Sequence, residues 1–320
     1  MILIILSKYI EEAYRKKNLW TLLKGMRILQ KINLNFNKSN KKIHFLLILL
    51  LILMLLFITN YKKRNDNNPK RNDKEKYINK IPVFTFHKLV PNDVKKKKFS
   101  NNIYVLSIDI FEEMMKYLYD NGYKTISTRE LYKWHIGEVD FKIKTVLITI
   151  DDGSYEDYYL AYPILRKYNL KATSFVIGSH IKNITPPYYK YNSSSIGIDA
   201  IKKVRKEYPN FEFQSHSFNM HYSVLDNITK KYYHKIRTMT YEQLKNDTIE
   251  NKKYGFNSMA FPYGEYREAM KEILKNQGYL LSFLFGKPKY ATRNDSRFKI
   301  PRIEIKGTCN LSTFKKWLNY

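Results

Sequence analysis

Two histidines, His216 and His221 in the stretch "QSHSFNMHY" (residues 214–222), lie five residues apart with a serine beside the first. On an α-helix, five residues correspond to a rotation of about 500°, so the two rings would diverge by about 140°. On a β-strand, an odd separation would send them to opposite faces of the sheet. Only a turn lets both imidazoles converge, so the sequence predicts a turn between them.

Two adjacent carboxylates, Asp151 and Asp152, directly follow the apolar run "TVLITI". Ligands and catalytic groups gather at the carboxyl ends of strands in parallel α/β folds. Alone, "DDG" is typical of an ordinary turn with an aspartate capping the next helix. Together with two neutral imidazoles, Asp152 would complete a three-ligand set for a catalytic metal ion, with positions left for water and substrate.

The turn in "AFPYGEY" (residues 260–266) also follows a predicted strand. Its backbone N–H groups could donate hydrogen bonds to a developing oxyanion, although Pro-Tyr-Gly is also a plain turn signal. Cys309 is the single cysteine, which excludes an internal disulfide and a cysteine-based zinc cluster. A metal site must therefore be built from histidines and carboxylates.

From Ile81 to Tyr320, short apolar runs alternate with helical stretches, a rhythm that predicts an α/β fold with parallel strands, repeated often enough for a barrel. The apolar, uncharged stretch Ile43–Tyr61 predicts an uncleaved transmembrane signal anchor. We therefore expect a basic, cytoplasmic segment over residues 1–42, the anchor over 43–61, a charged linker over 62–80 and a folded domain over 81–320. The lysines and arginines that flank the anchor slightly favour the opposite orientation, but a large domain can be translocated regardless of charge.

The net charge of +28 does not indicate specific nucleic-acid binding. Residues 1–80 carry 18 Lys/Arg against 5 Asp/Glu, so much of the excess surrounds the apolar stretch. Elsewhere lysines are scattered, and no basic stretch is interleaved with aromatic residues as a base-stacking surface requires. Loose attraction to anionic lipid or wall polymer is the better interpretation.

The motifs "TIDDG", "SHSFNMH" and "FPYGEY", in this order, resemble those of the polysaccharide deacetylase family (NodB-homology, carbohydrate esterase family four) over most of residues 81–302. The resemblance implies a distorted (β/α) barrel and a divalent metal ion, zinc in the first place, with iron, cobalt and nickel as alternatives. It also implies these roles: Asp151 as general base, Asp152, His216 and His221 as metal ligands, the Tyr263 backbone N–H as oxyanion donor, and Pro262 as an orienting residue of the same turn.

Three departures from most family members indicate a particular branch. The histidines are spaced five apart rather than four, Ala260 stands where most members have an arginine, and no histidine follows His234, whereas most members have a catalytic histidine near the C-terminus. These features resemble the branch that deacetylates poly-β-1,6-N-acetylglucosamine of biofilm matrices. "PVFTFHKLV" is similar to that branch's opening strand, which makes His87 the expected general acid. We expect Arg302, in "PRIEI", to replace the missing arginine.

The resemblance predicts a hydrolase that removes N-acetyl groups from a β-linked N-acetylglucosamine polymer and releases acetate. The apolar stretch 43–61 adds the expectation that this hydrolase is anchored in the cytoplasmic membrane with its catalytic domain outside. One alternative is a deacetylase of peptidoglycan or chitin-like chains, which the same chemistry would serve. An alternative of another class is a non-catalytic, membrane-tethered carbohydrate-binding module, which would show loss of the base or a ligand. The sequence identifies no protein partner.

Overall fold

The strand and helix pattern of the folded region is seen in a computed structural model, which describes residues 77–142, 144–286 and 288–319. The strands in these ranges are β1 (Lys80–Ile81), β2 (Val83–Phe86), β3 (Lys88–Val90), β4 (Val105–Ser107), β5 (Lys124–Thr125), β6 (Thr145–Asp152), β7 (Ala172–Val176), β8 (Phe211–Ser215), β9 (Ser223–Leu225), β10 (Tyr232–His234), β11 (Ser258–Ala260), β12 (Leu281–Phe283), β13 (Ala291–Thr292) and β14 (Ile303–Glu304).

Eight of these strands form one sheet in the order β12-β11-β8-β7-β6-β2-β14, with β5 paired to β6. Every pairing in this sheet is parallel. Smaller pairs are β1 with β13, β9 with β10, and β3 with β4. The predicted α/β class with parallel strands is therefore confirmed.

Helices connect the strands of the sheet, as parallel pairing requires. They are α1 (Asn92–Lys98), α2 (Ile108–Asp120), α3 (Thr128–His135), α4 (Tyr162–Lys167), α5 (Ile198–Glu207), α6 (Tyr241–Lys252), α7 (Ala269–Asn276) and α8 (Leu311–Lys316), with a π-helical turn over Asp157–Ala161 before α4. The helical stretches that the sequence predicts at residues 109–123, from about 163, 198–208, 240–255 and 266–279 correspond to α2 and α4–α7. The sequence pattern did not predict α1, α3, α8 or the β9–β10 hairpin.

The two edges of the sheet meet at one short segment, residues 300–304. Ile303 pairs with Phe84 of β2, while Ile300 forms a parallel bridge with Phe283 of β12. The same segment thus contacts both edge regions of the sheet. The sheet is curled into a parallel half-barrel, which is consistent with the predicted (β/α) barrel. Arg302 lies in the middle of this junction.

The residues of β6 alternate between two environments. Val146, Ile148 and Ile150 pack in the hydrophobic core that also contains residues of α2, α4 and α5. Leu147 packs with Phe175 and Phe283 in a second core. Thr149 and Asp151 share the alternation of Leu147, so strand geometry places them on the same face. The carboxyl-terminal end of β6 therefore presents the polar side chains of Thr149 and Asp151 to the side opposite the main helix-packed core.

Several expectations fall on residues outside the described ranges. The basic segment, the transmembrane anchor at 43–61 and the linker up to residue 76 belong to this group. Within the described ranges, no helix combines the length and the apolar character needed to cross a bilayer.

Candidate active site

Asp151 is buried at the end of β6 and is paired with Arg302. The guanidinium donates from Nη1 to Oδ1 at 2.8 Å and from Nη2 to Oδ2 at 2.7 Å. Arg302 is itself held by a bond from Nε to the Leu284 carbonyl, 2.8 Å. Burial opposes ionisation, but the Arg302 charge outweighs it and holds the pKa of Asp151 well below its usual range. Asp151 is therefore an ionised carboxylate in a fixed orientation.

The side chain of Asp152 does not follow the alternating side-chain directions of β6. Regular strand geometry would send its side chain to the face opposite that of Asp151. Its φ of 81° lies in the left-handed region, which aspartate tolerates better than most residues. With this backbone conformation, the Asp152 carboxylate faces the two histidines, whereas the carboxylate of the preceding residue, Asp151, faces Arg302.

Asp152, His216 and His221 form a set that fits a metal ion. Asp152 Oδ1 lies 3.5 Å from His216 Nε2 and 3.4 Å from His221 Nε2, and the three ligand atoms lie within 4.8 Å of one another. Asp152 Oδ1 is buried and has no hydrogen-bond partner among the described residues. A buried carboxylate oxygen without a partner is costly unless it binds a cation. Two imidazoles and one carboxylate are a donor set that suits catalytic divalent metals.

Both imidazoles are prepared to act as ligands. His216 Nδ1 lies 2.9 Å from the Ala260 carbonyl, which can only accept, so Nδ1 carries the proton and Nε2 keeps its lone pair. Burial lowers the pKa of His216 to about 3 and also lowers that of His221. Neutral rings with a free Nε2 are the form that binds a metal.

A tight turn brings the two rings together, and Asp247 of α6 holds it. Ser217 has a φ of 67°, and the ring centroids of His216 and His221 lie 4.9 Å apart. The backbone N–H groups of Phe218 and Asn219 donate to the two carboxylate oxygens of Asp247 at 2.7 and 2.6 Å. The convergence therefore depends on a residue from a later helix.

The Pro262–Gly264 turn packs against His221, one of the three candidate metal ligands. Tyr263 has a φ of 58°, and its ring centroid is 4.5 Å from that of His221. On its other side, Tyr263 stacks on His234 with centroids 3.8 Å apart. A Cβ atom at Gly264 would come within 2.2 Å of the Phe285 carbonyl oxygen, so this turn requires glycine for close approach as well as for its φ of 71°.

His87 follows directly on β2 and is half-buried. Its ring lies between those of Tyr104 and Phe285, with centroid distances of 5.4 and 5.2 Å and both contacts edge-to-face. A charge on His87 would lower the pKa of both Asp151 and Asp152. The structure thus brings His87 to the same end of the sheet as the paired carboxylates.

Sequence reasoning overlooked two supports of the site. Asp247 is one. The other is a polar chain in which Glu265 Oε1 accepts from His234 Nδ1 at 3.1 Å and from Arg237 Nε at 3.0 Å. A signal for Asp247 existed, since it lies with Leu244, Thr248 and Asn251 among the buried residues of α6. No comparable sequence pattern indicated that Glu265 would be the partner of His234.

Comparison with known proteins agrees with this arrangement. The model of a family described as polysaccharide deacetylase matches residues 138–281. The poly-β-1,6-N-acetyl-D-glucosamine N-deacetylase of Staphylococcus aureus (strain MRSA252) is 25% identical over 245 residues, covering 70% of this chain and 80% of that protein.

Two solved structures share the fold. The Streptococcus pyogenes deacetylase PplD, in complex with acetate, aligns with a TM-score of 0.62 and 20% identity, covering 77% of this chain and 100% of that one. IcaB from Ammonifex degensii aligns with a TM-score of 0.59 and 21% identity, covering 76% of this chain and 98% of that one. The motifs, the matched region and the fold agree, and the chain contains a polysaccharide deacetylase domain.

Proposed function

We propose that this protein hydrolyses the N-acetyl groups of a β-linked N-acetylglucosamine polymer, poly-β-1,6-N-acetylglucosamine, and releases acetate. One observation carries the proposal: the buried Asp151–Arg302 pair directly precedes Asp152 of the three-ligand set. The name of the Staphylococcus aureus relative supports the polymer, and the match of residues 138–281 to the polysaccharide deacetylase model supports the reaction.

Asp152, His216 and His221 would hold one divalent metal ion, which we propose to be zinc, with iron, cobalt or nickel able to occupy the same donors. Such an ion supplies Lewis-acid polarisation of the acetamide carbonyl and lowers the pKa of a water molecule. His216 keeps its Nε2 available through its Nδ1–H bond to Ala260.

The remaining steps belong to the protein's own groups. Asp151 takes a proton from water as the water oxygen bonds to the acetamide carbon, and the Tyr263 backbone N–H donates to the oxygen that becomes negative. His87 gives its proton to the nitrogen as the carbon–nitrogen bond breaks. Acetate and a free amine leave. Arg302 maintains the orientation of Asp151 through this sequence.

We propose further that residues 43–61 anchor the protein in the cytoplasmic membrane and that the domain from residue 81 onward lies outside. The apolar sequence of that stretch is the support. Protease added to intact spheroplasts should remove the domain and leave residues 1–42 protected. Protection of the domain would overturn this topology.

The test of function uses the full chain in detergent with β-1,6-linked N-acetylglucosamine oligomers, and measures released acetate with and without chelator. Peptidoglycan fragments and chitin oligomers run alongside. We expect chelator-sensitive acetate, fastest from the β-1,6-linked oligomers. A preference for another polymer would overturn the substrate, and no acetate from any of them would overturn the enzyme.

A further inference from the structure

An exposed aromatic ring, that of Tyr104, lies directly beside His87. The Tyr104 side chain is 48% exposed, yet its ring packs edge-to-face on the His87 ring with centroids 5.4 Å apart. Large apolar rings are usually covered where the fold can cover them, so a ring left open beside a catalytic group indicates a contact surface.

The backbone under Tyr104 is tied to the strand that carries His87. Lys88, the next residue after His87, donates its backbone N–H to the Tyr104 carbonyl at 3.2 Å. The β3–β4 pairing continues from there, with Lys88 opposite Val105. The Tyr104 ring therefore keeps a fixed place relative to His87.

Hydrogen bonds also hold the loop of residues 99–103 that leads to Tyr104. The largely buried Lys95 ammonium donates to the carbonyls of Phe99 and Asn102, both at 2.8 Å. Asn102 Oδ1 accepts from the Tyr104 backbone N–H at 2.9 Å. Gly307 packs so closely that an added Cβ would lie 2.1 Å from the Val105 carbonyl oxygen and 2.7 Å from that of Asn102. An exposed ring on so well-bonded a loop is preorganised for a ligand.

The chemistry of the ring selects the ligand. The face of a tyrosine ring carries the negative part of its quadrupole and attracts the positively polarised C–H groups of an apolar surface. A β-linked pyranose presents such C–H groups on its ring faces, whereas its hydroxyl groups point outward. The position beside His87 is where the sugar that loses its acetyl group, or a neighbouring sugar, must lie.

We propose that Tyr104 is a stacking platform for a pyranose ring of the bound polymer and so determines polymer affinity. This rests on the proposed function. Aromatic contacts of this kind correspond to a change of about 3- to 10-fold in affinity. Tyr104→Leu should raise KM for a β-1,6-linked N-acetylglucosamine pentamer by that factor and leave kcat and metal content close to those of the original protein. Tyr104→Phe and Tyr104→Trp should keep the original KM.

Tyr119 provides the matched control, because it is 57% exposed and lies near the end of α2, which leads to the amino-terminal end of β5. Tyr119→Leu should leave KM unchanged. A second readout is calorimetric binding of the fully deacetylated pentamer, a product that the holoenzyme cannot turn over. Its Kd should rise about 3- to 10-fold in Tyr104→Leu and stay constant in Tyr119→Leu.

The outcomes distinguish failure of the Tyr104 platform from failure of the proposed deacetylase function. Unchanged KM and Kd in Tyr104→Leu, while the original protein releases acetate, would overturn the platform alone. A fall in kcat at constant KM and Kd would also overturn it, since Tyr104 would then only pack against His87. If the original protein neither releases acetate from the pentamer nor binds its product, the proposed function and the platform are both overturned.

Discussion

The Arg302 guanidinium and the Asp151 carboxylate form two parallel hydrogen bonds, of 2.8 and 2.7 Å, across 151 positions of the sequence. This fork-to-fork geometry fixes the plane of the carboxylate, which a single bond would leave free to rotate. Each Asp151 oxygen uses one acceptor site on Arg302 and keeps another. The carboxylate is thus oriented, and each of its oxygens keeps a lone pair for another hydrogen bond.

The two adjacent aspartates should respond differently to the same substitution. Asp152→Asn should lower metal content, since an amide is a poor ligand, and leave folding intact, since Asp152 Oδ1 has no hydrogen-bond partner among the described residues. Asp151→Asn should keep the metal and lose turnover. It should also lower the free energy of unfolding by about 3 kcal/mol, because the buried Arg302 loses its counter-charge. Metal analysis and denaturant unfolding check this, and equal metal loss would refute the division of roles.

His87→Phe tests the proton donor while an aromatic ring stays between Tyr104 and Phe285. Amide cleavage should slow by about 10²–10⁴, the usual contribution of general acid catalysis. An activated aryl acetate ester should slow much less, because its leaving group needs little help from a proton. Both rates are compared at equal metal content. Equal slowing of the two substrates would show that His87 is not the acid.

Gly264→Ala and Gly278→Ala form a matched pair, since both glycines have φ near 70°. At Gly278 an added Cβ meets no atom within 4 Å, whereas at Gly264 it meets the Phe285 backbone. Gly278→Ala should therefore cost about 1 kcal/mol, from backbone conformation alone. Gly264→Ala should cost more and also reduce kcat, because the Tyr263 turn and Phe285 must move. Equal unfolding free energies would contradict the close approach at Gly264.

Asp247 predicts a pH dependence of stability. Burial raises its pKa to about 6, although hydrogen bonds from Asn219 and Phe218 oppose the rise. Between about pH 4 and pH 6 the folded protein therefore binds a proton that the unfolded chain releases, and stability falls as pH rises through this range. Asp247→Asn removes this contribution. Unfolding free energies at pH 4, 5, 6 and 7 should fall more steeply in the original protein than in the variant, and parallel curves would argue against the raised pKa.

Much of the site was readable because its residues follow strands. The positions of Asp152, His216 and His221 after apolar runs were enough to group them, since parallel strands end at one edge of a sheet. The positive φ of Asp152 could not be predicted, because no local sequence pattern indicates which aspartate of an adjacent pair adopts it. The position of Asp247 on the buried face of α6 was signalled by its spacing from Leu244, but its bonds to the turn after His216 were not, since they depend on where α6 packs.

The fold was predictable where the hydrophobic pattern was strong. The central strands and helices α2, α5 and α7 follow apolar periodicity, whereas α1 contains four consecutive lysines and has a short apolar signal. The β9–β10 hairpin was missed because its strands are largely exposed. For α3 a signal was present and overlooked, as Ser127 and Glu130 form a capping box.

The junction at residues 300–304 makes the orientation of Asp151 depend on a late part of the chain. The ribosome releases Asp151 long before Arg302, so a nascent chain that ends before residue 300 holds a carboxylate without its orienting partner. The same short segment bridges both edges of the sheet. A chain that lacks residues 300–304 therefore lacks both the bridge between the two edges of the sheet and the guanidinium that orients Asp151.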